Sequence, residues 1–349
     1  MLIFSKESSS LRRDFAAIHR QPHPQLPVCA ILMGRDYIEM GDYPLETCKQ
    51  ICYIICMTQT LRQFQDRFPT EEACLDHLFQ VRYGTDFDCP KCGRPAKYSR
   101  VTKRRSYQCN WCAHQLYPTA GTPFDRTRTS LRDWFYVMFL FTTSRHGVAA
   151  KEVQRQIGVT YKTAWRMCHE IRKYMGQIDG NEPVGGEGVT VEVDETYVGG
   201  KAKREFGKGS RSQYRNKTVV MGFAARDGDV ITKIVPNVRK ETLLPEVKAN
   251  VAEGSIVHTD ELLSYKGIPA LGFEHETVNH ARGCYVSRKG AHVQTIEGFW
   301  SQLKRGINGT HIHVSGKHLS KYLGEFEFRW NMRHAPHQML DRLLYSFTR

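Results

Sequence analysis

The amino-acid sequence predicts a mixed α/β domain in its C-terminal half, preceded by a cysteine-rich metal module and a helical hairpin. Three observations carry this prediction. Two Cys-x-x-Cys pairs, Cys89-Pro-Lys-Cys92 and Cys109-Asn-Trp-Cys112, stand 16 residues apart. Residues 130–178 repeat apolar side chains at helical spacing. Beyond a glycine-rich stretch come the strand-like runs VTVEVDETYV, TVVMGFAAR, DVITKIVPNV and SIVHTD, with the helical piece RKETLLPEVKANV between the third and fourth. Strands that give way to helices, over 293–307 and 318–333, fit a mixed sheet flanked by helices.

The chain has 349 residues, room for two or three domains, and 40% of them are apolar, which excludes wholesale disorder. Fifty Lys and Arg against 36 Asp and Glu leave a net charge of +14. That balance favours a polyanionic partner, because neutralised phosphates release condensed counterions. No apolar run approaches the roughly 18 residues of a membrane span, and no signal peptide of the usual order is visible. The chain is therefore expected in the bacterial cytosol, associated with the nucleoid. Eleven cysteines in a reducing compartment point to metal binding or burial, not to disulfides.

Residues 1–56 carry a Pro-spaced segment, Gln21 to Pro27, and an apolar patch with Cys48, Cys52 and Cys56. Two readings stay open for them: an N-terminal arm, or translated upstream sequence with Met57 as the start. Residues 57–120 hold a short helical segment and the cysteine module. Thr70, followed by Glu71 and Glu72, reads there as a helix N-cap. Residues 121–178 hold the hairpin. Residues 179–188 read as a linker, in the segment GQIDGNEPVGGEG with its five glycines and one proline. Residues 189–349 form the α/β domain. No internal repeat is visible.

Two thiolates at Cys-x-x-Cys spacing bind one ion from a tight turn, and two such turns complete a tetrahedron. Cys89, Cys92, Cys109 and Cys112 therefore predict a structural Zn²⁺ site in a zinc ribbon, closed to chemistry because sulfur fills all four positions. Gly93 suits the first turn. Lys91, Arg94, Lys97, Arg100, Lys103, Arg104 and Arg105 surround it with positive charge. In the segment VAAKEVQRQIGVTYKTAWRMCHEIRKYM, a turn at Gly158 separates two helices. Ala149, Ala150, Val153 and Ile157 are expected inward on the first, and Trp165, Cys168 and Ile171 on the second. Tyr161, Lys162, Thr163 and Arg166 are then exposed at the start of the second helix, where the recognition helix of a helix-turn-helix meets base edges of double-stranded DNA.

Asp194 lies in the apolar run VTVEVDETYVGG, Asp260 ends the run SIVHTD, and Glu297 sits in the helical piece QTIEGFWSQLKRGI. Oxygen ligands from two strands and a helix suit divalent cations, Mg²⁺ or Mn²⁺, of the kind that drives phosphodiester chemistry. Glu192 and Glu195 read as solvated surface. The segment 201–217, KAKREFGKGSRSQYRNK, carries seven basic residues and one acid. Lys201, Lys203 and Arg204 there are expected to grip phosphates. His258, His280, His292, His311 and His313 surround the acids in sequence, with His280 the foremost auxiliary candidate.

These motifs carry a resemblance. From about Met57 to Arg333 the chain resembles the zinc-ribbon insertion-sequence transposases of the ISXO-like type, within the DDE superfamily. The resemblance rests on CPKCG and CNWC, VEVDETYVGGK, HTDELLSY, IEGFWSQLKRGINGTHIHVS and HLSKYLGEFEFRWNMR. It implies an RNase H-like catalytic domain, with Asp194 and Asp260 on strands and the third acid on a late helix. In relatives an Asn often stands at the position of Gln294, and in some that amide counts as the third catalytic residue. Here Glu297 is favoured, because a carboxylate binds a hard cation better than an amide. Lys304 also lies seven residues on, the spacing at which such enzymes commonly hold DNA, with Arg305 beside it. The implied function is binding of element ends, their terminal inverted repeats, with metal-dependent strand cleavage and transfer to target DNA by a homo-oligomer. The alternatives are an RNase H-like nuclease without joining activity and a DNA-binding transcription regulator.

Overall fold

The computed structural model describes residues 32–33, 36–37, 59–178, 182–199, 217–278 and 291–348. The chain divides into two units, Met1–Met57 and Thr58–Arg349. In the first, Leu32–Met33 and Asp36–Tyr37 form a short antiparallel ladder. The Pro-spaced segment and Cys48, Cys52 and Cys56 lie outside the described residues.

The second unit opens with two capped helices. Thr60 begins α1 (Leu61–Arg67) with a reciprocal capping box to Gln63. Thr70 begins α2 (Glu71–Tyr83) by accepting the Ala73 amide at 3.2 Å, as its sequence predicts. The ribbon follows as a three-stranded antiparallel sheet, β1 (Tyr98–Arg100), β2 (Tyr107–Cys109) and β3 (Gln115–Leu116). Arg105 was expected as exposed charge, yet it ties the ribbon inward. It pairs with Glu71 at 2.7 Å and donates to the carbonyls of Thr127 and Thr129.

Helix α3 (Leu131–Thr143) is apolar almost all round and runs through the first core, burying Leu131, Trp134, Phe135, Val137, Met138 and Phe141. Helices α4 (Ala150–Ile157) and α5 (Tyr161–Ile178) meet at Gly158, whose φ of +70° closes the turn between them. Val153, Ala164, Met167, Cys168 and Ile171 join the first core. Trp165 does not. The inward stripe of α5 runs through Ala164, Met167, Cys168 and Ile171, and Trp165 falls off it, exposed and stacked on His169 at 4.4 Å.

The predicted linker carries a strand. Val184–Gly185 (β4) pairs in parallel with Val251–Ala252 (β8) and buries Val184. Gly185 sits at φ +102°, and a Cβ there would collide with the Ser255 hydroxyl, so close approach, not slack, requires this glycine.

A five-stranded mixed sheet follows, built from β5 (Thr190–Val198), β6 (Thr218–Ala225), β7 (Val230–Val235), β9 (Ile256–Thr259) and β10 (Glu274–Thr277), in the order β10-β9-β5-β6-β7. Strands β5, β6 and β7 form an antiparallel meander. Helix α6 (Lys240–Asn250) then carries the chain across, so that β9 and β10 run parallel to β5. One face buries Val191, Val193, Met221 and Phe223 beneath α6. The opposite face buries Val220 and Ala224 against α7 (Gln294–Arg305) and α8 (Gly316–Asn331).

Helix α8 holds the unit together. It covers edge strand β7 with side chains: Glu327 accepts the Thr232 amide at 2.9 Å, and Asn331 exchanges two hydrogen bonds with Val230. These bonds satisfy backbone groups that an open edge would expose. Its other side meets α5 through Gly324 and Gly176, where a Cβ on Gly324 would come within 2.5 Å of the Gly176 backbone. One turn away Arg172 pairs with Glu325 at 2.6 Å, and Arg329 pairs with the same buried carboxylate. The last helix, α9 (Met339–Phe347), packs into the first core through Leu340, Leu343, Leu344 and Phe347, beside α3 and α5.

Candidate active site and metal module

The metal module follows directly from its turns. The Cys89 carbonyl accepts the Gly93 amide and the Cys109 carbonyl accepts the Ala113 amide, and both Gly93 and Ala113 adopt positive φ. The two knuckles thus repeat one geometry. All four sulfurs lie within 4.8 Å of one another, with Cys89 and Cys112 at 3.7 Å. The Tyr98 hydroxyl donates to Cys89 Sγ at 3.2 Å. Four sulfurs converging from paired turns fit a structural zinc, with no position left open. Trp111, inside the second knuckle, is exposed and lies beneath the Arg94 guanidinium.

The acids converge on one end of the large sheet. Alternation along β5 turns Glu192 and Asp194 toward α7 and turns Glu195 toward the opposite face. Strand β9 pairs with β5 so that Thr259 faces Val193, and Asp260 leaves the sheet at the level of Asp194. Asp260 is fixed by its own turn, accepting the Leu262 amide at 3.0 Å. On the other flank Asp194 pairs with Gly222 of β6. The missing side chain at Gly222 admits Trp300 of α7: a Cβ there would lie 2.5 Å from the indole ring. Trp300 fills the space and donates its indole N–H to Asp194 Oδ2 at 3.0 Å.

Burial, then the charge of Asp260, raises the Asp194 carboxyl to about 6, and Glu297 adds to the shift. Asp194 therefore feels both of the other predicted acids. Glu195 is raised to about 7, first by burial and further by Asp260 and Asp194, while the Tyr265 hydroxyl donates to it at 2.7 Å. Glu195 is thus part of the acidic cluster and not solvated surface. Carboxylates crowded this way repel, and a bound divalent cation relieves that repulsion, so the donor set suits one. Among the described residues only the four cysteines already stand within one ion's reach.

Helix α7 presents Gln294, Glu297, Ser301 and Lys304 at three- and four-residue intervals, hence on one exposed face. Its N-cap, Val293, supplies no side-chain bond. The cap comes instead from Glu192. This carboxylate, fully buried, accepts the Thr295 amide at 2.7 Å, the Thr295 hydroxyl at 2.9 Å and the Ile296 amide at 3.1 Å. Arg226 and His292 approach the same carboxylate at 3.3 Å each. Solvated surface was the wrong expectation for Glu192. The available signal was its spacing, two residues before Asp194 in a strand, which puts both acids on one face.

The remaining sequence candidates fall into two groups. Tyr161, Lys162 and Arg166 are exposed in the first turns of α5, with Lys151 over the Tyr161 ring, while Thr163 is half-buried and donates its amide to Thr160. Lys304 and Arg305 are exposed at the end of α7. Lys201, Lys203, Arg204 and His280 lie outside the described residues. His258 and His311 are drawn into packing: His258 is buried beside Arg226, and His311 stacks edge-on against Tyr322.

Comparisons with known proteins agree with this layout. Residues 184–331, from β4 to the end of α8, match the ISXO2-like transposase domain, and residues 69–115 match the transposase zinc-ribbon domain. A protein of Halobacterium salinarum, described as an uncharacterized protein in transposable element ISH50, is 27% identical over 284 residues, 77% of this chain and 94% of the relative. An uncharacterized transposase-like protein of Haemophilus influenzae is 34% identical over 105 residues, 29% of this chain and 80% of the relative. No helix among the described residues is long and apolar enough to cross a membrane. Ribbon and sheet, each matched and in the same order within one chain, assign this protein to the zinc-ribbon insertion-sequence transposases of the ISXO-like type.

Proposed function

We propose that this transposase binds the ends of its own element, cuts them by metal-dependent hydrolysis and joins the freed 3′ ends to target DNA. One observation carries the reading. Asp194, within β5, and Asp260, just past the end of the adjacent parallel strand β9, stand at one level, and Glu297 acts electrostatically on Asp194 from helix α7, which packs on β5. The sheet order, an antiparallel meander extended by two parallel strands, supports an RNase H-like domain.

Asp194, Asp260 and Glu297 would hold divalent cations, Mg²⁺ or Mn²⁺, which supply activation of the attacking oxygen and neutralise the leaving one. Trp300 keeps the Asp194 carboxylate turned toward the site. Lys304 and Arg305, further along α7, neutralise the phosphates of the bound strand, while Tyr161, Lys162, Thr163 and Arg166 serve as the reading face of a helix-turn-helix. Lys201, Lys203 and Arg204 add phosphate contacts. In the first step water adds to phosphorus as the bond to the 3′ oxygen breaks, freeing a 3′-hydroxyl. In the second, that hydroxyl attacks a target phosphodiester. One phosphorus–oxygen bond forms as another breaks, so no covalent protein–DNA intermediate and no energy source is required.

Element-end DNA, intact in one reaction and pre-cleaved in another, incubated with the full chain, Mg²⁺ and target plasmid tests this. Joined products are expected. Cleavage without joining would leave a nuclease, and binding without either would leave a regulator.

A further inference from the structure

We propose that Glu192 is a positioning residue for this chemistry: its carboxylate is the cap that fixes helix α7, and with it Glu297, relative to Asp194. The inference rests on reading Asp194 and Glu297 as metal-holding acids.

The first turn of any helix leaves backbone N–H groups without partners, and their positive end attracts an anion. In α7 the local sequence provides no cap, since the residue at that place is Val293. Glu192 reaches across from β5 and takes two of these amides and one hydroxyl, all between 2.7 and 3.1 Å. It is 0% exposed. A carboxylate buried so completely is costly unless it is bonded and compensated, and Arg226 and His292 stand at 3.3 Å on its other side. An apolar side chain would fill the same space without that cost, but it could not dictate where the helix begins.

Geometry says what the cap achieves. Glu192 and Asp194 are successive residues on one face of a strand, about 7 Å apart along the backbone. Thr295 and Glu297 lie in one turn of α7. A single carboxylate therefore spans the joint between the strand that carries Asp194 and the turn that carries Glu297. Trp300 makes the second tie one turn later, to Asp194 itself. With two ties at one end, α7 can neither rotate nor slide without breaking a buried hydrogen bond. Metal-assisted displacement tolerates little misplacement of its ligands, so such a joint acts on metal affinity.

The test compares wild type with Glu192→Gln and Thr295→Val in the full chain. Three readouts are used: amide hydrogen exchange of the first turn of α7, the Mg²⁺ concentration for half-maximal cleavage, and affinity for element-end DNA. Glu192→Gln keeps the volume and one acceptor oxygen but loses the charge. It should raise exchange at Thr295 and Ile296, and raise the Mg²⁺ requirement roughly tenfold, the scale of one charged hydrogen bond. DNA affinity should stay unchanged, and excess metal should restore most of the cleavage. Thr295→Val removes one hydroxyl donor and keeps both amide bonds, so it folds even if the first variant does not; its Mg²⁺ requirement should rise by roughly threefold. An active wild type whose variants show loosened amides but an unchanged Mg²⁺ requirement would reduce Glu192 to a structural role and overturn the inference alone. A wild type without metal-dependent cleavage would overturn the proposed function, and the inference with it.

Discussion

Trp300 donates its indole N–H to Asp194 across 3.0 Å, from the same helix that carries Glu297. The bond exists because Gly222, paired with Asp194 in the sheet, leaves room for the ring. Trp300→Phe loses the donor and also part of the ring that fills the space over Gly222. It should lower cleavage by roughly tenfold and stability by about 1 kcal/mol, while leaving DNA affinity near wild type. Gly222→Ala should do more harm, since its Cβ meets the indole and one of them must shift, at about 1–3 kcal/mol in stability. Thermal melts and cleavage assays on both variants check the pair; full activity in Gly222→Ala would contradict it.

The ribbon should carry one tightly bound zinc per chain. Cys89→Ser should lose the metal and the binding of element ends, while the large sheet stays folded, because its two cores share no residue with the knuckles. Metal analysis of freshly purified protein decides this, and absence of zinc would refute it.

Glu327 makes stability depend on pH. Its burial, only partly offset by hydrogen bonds from Thr232, raises its carboxyl from the usual 4.5 to about 7. A group with a raised folded-state pKa contributes stability that is complete below its unfolded value and is lost as pH rises through the folded one. The window runs from about pH 4.5 to about pH 7, worth on the order of 3 kcal/mol. Glu327→Gln stays neutral and keeps an acceptor for Thr232. Its melting temperature relative to wild type should climb across that window. A difference that stays flat from pH 4.5 to 8 would contradict the assignment.

Much of this was legible in the sequence for physical reasons. The cysteine spacing dictates its knuckles locally. Apolar runs, nearly continuous in β6 and interrupted by polar residues in β5, β7 and β9, are why those strands could be read. Strand β10 could not, because Glu274-His-Glu-Thr277 is a polar edge that only pairing with β9 makes a strand. The glycine-rich segment read as slack because close packing and flexibility both call for glycine, and only Ser255 shows which applies at Gly185. Trp165 was misjudged through its size: a large apolar ring suggests burial, while the helical phase turns it outward. Glu192 was missed because its partners, Thr295 and Ile296, lie more than a hundred residues away.

The acids bear the central claim. Strand cleavage and joining on element-end DNA with Mg²⁺ should be measured for Asp194→Ala, Asp260→Ala, Glu297→Ala and Gln294→Ala, alongside DNA affinity. The first three should lose both reactions and keep binding, because affinity comes from the basic faces and chemistry from the acids. Gln294→Ala should retain more activity than Glu297→Ala, since an amide is the poorer ligand for a hard cation. A Glu297→Ala variant that still cuts while Gln294→Ala does not would move the third position to the amide, and an Asp194→Ala variant that still joins ends would contradict the reading altogether.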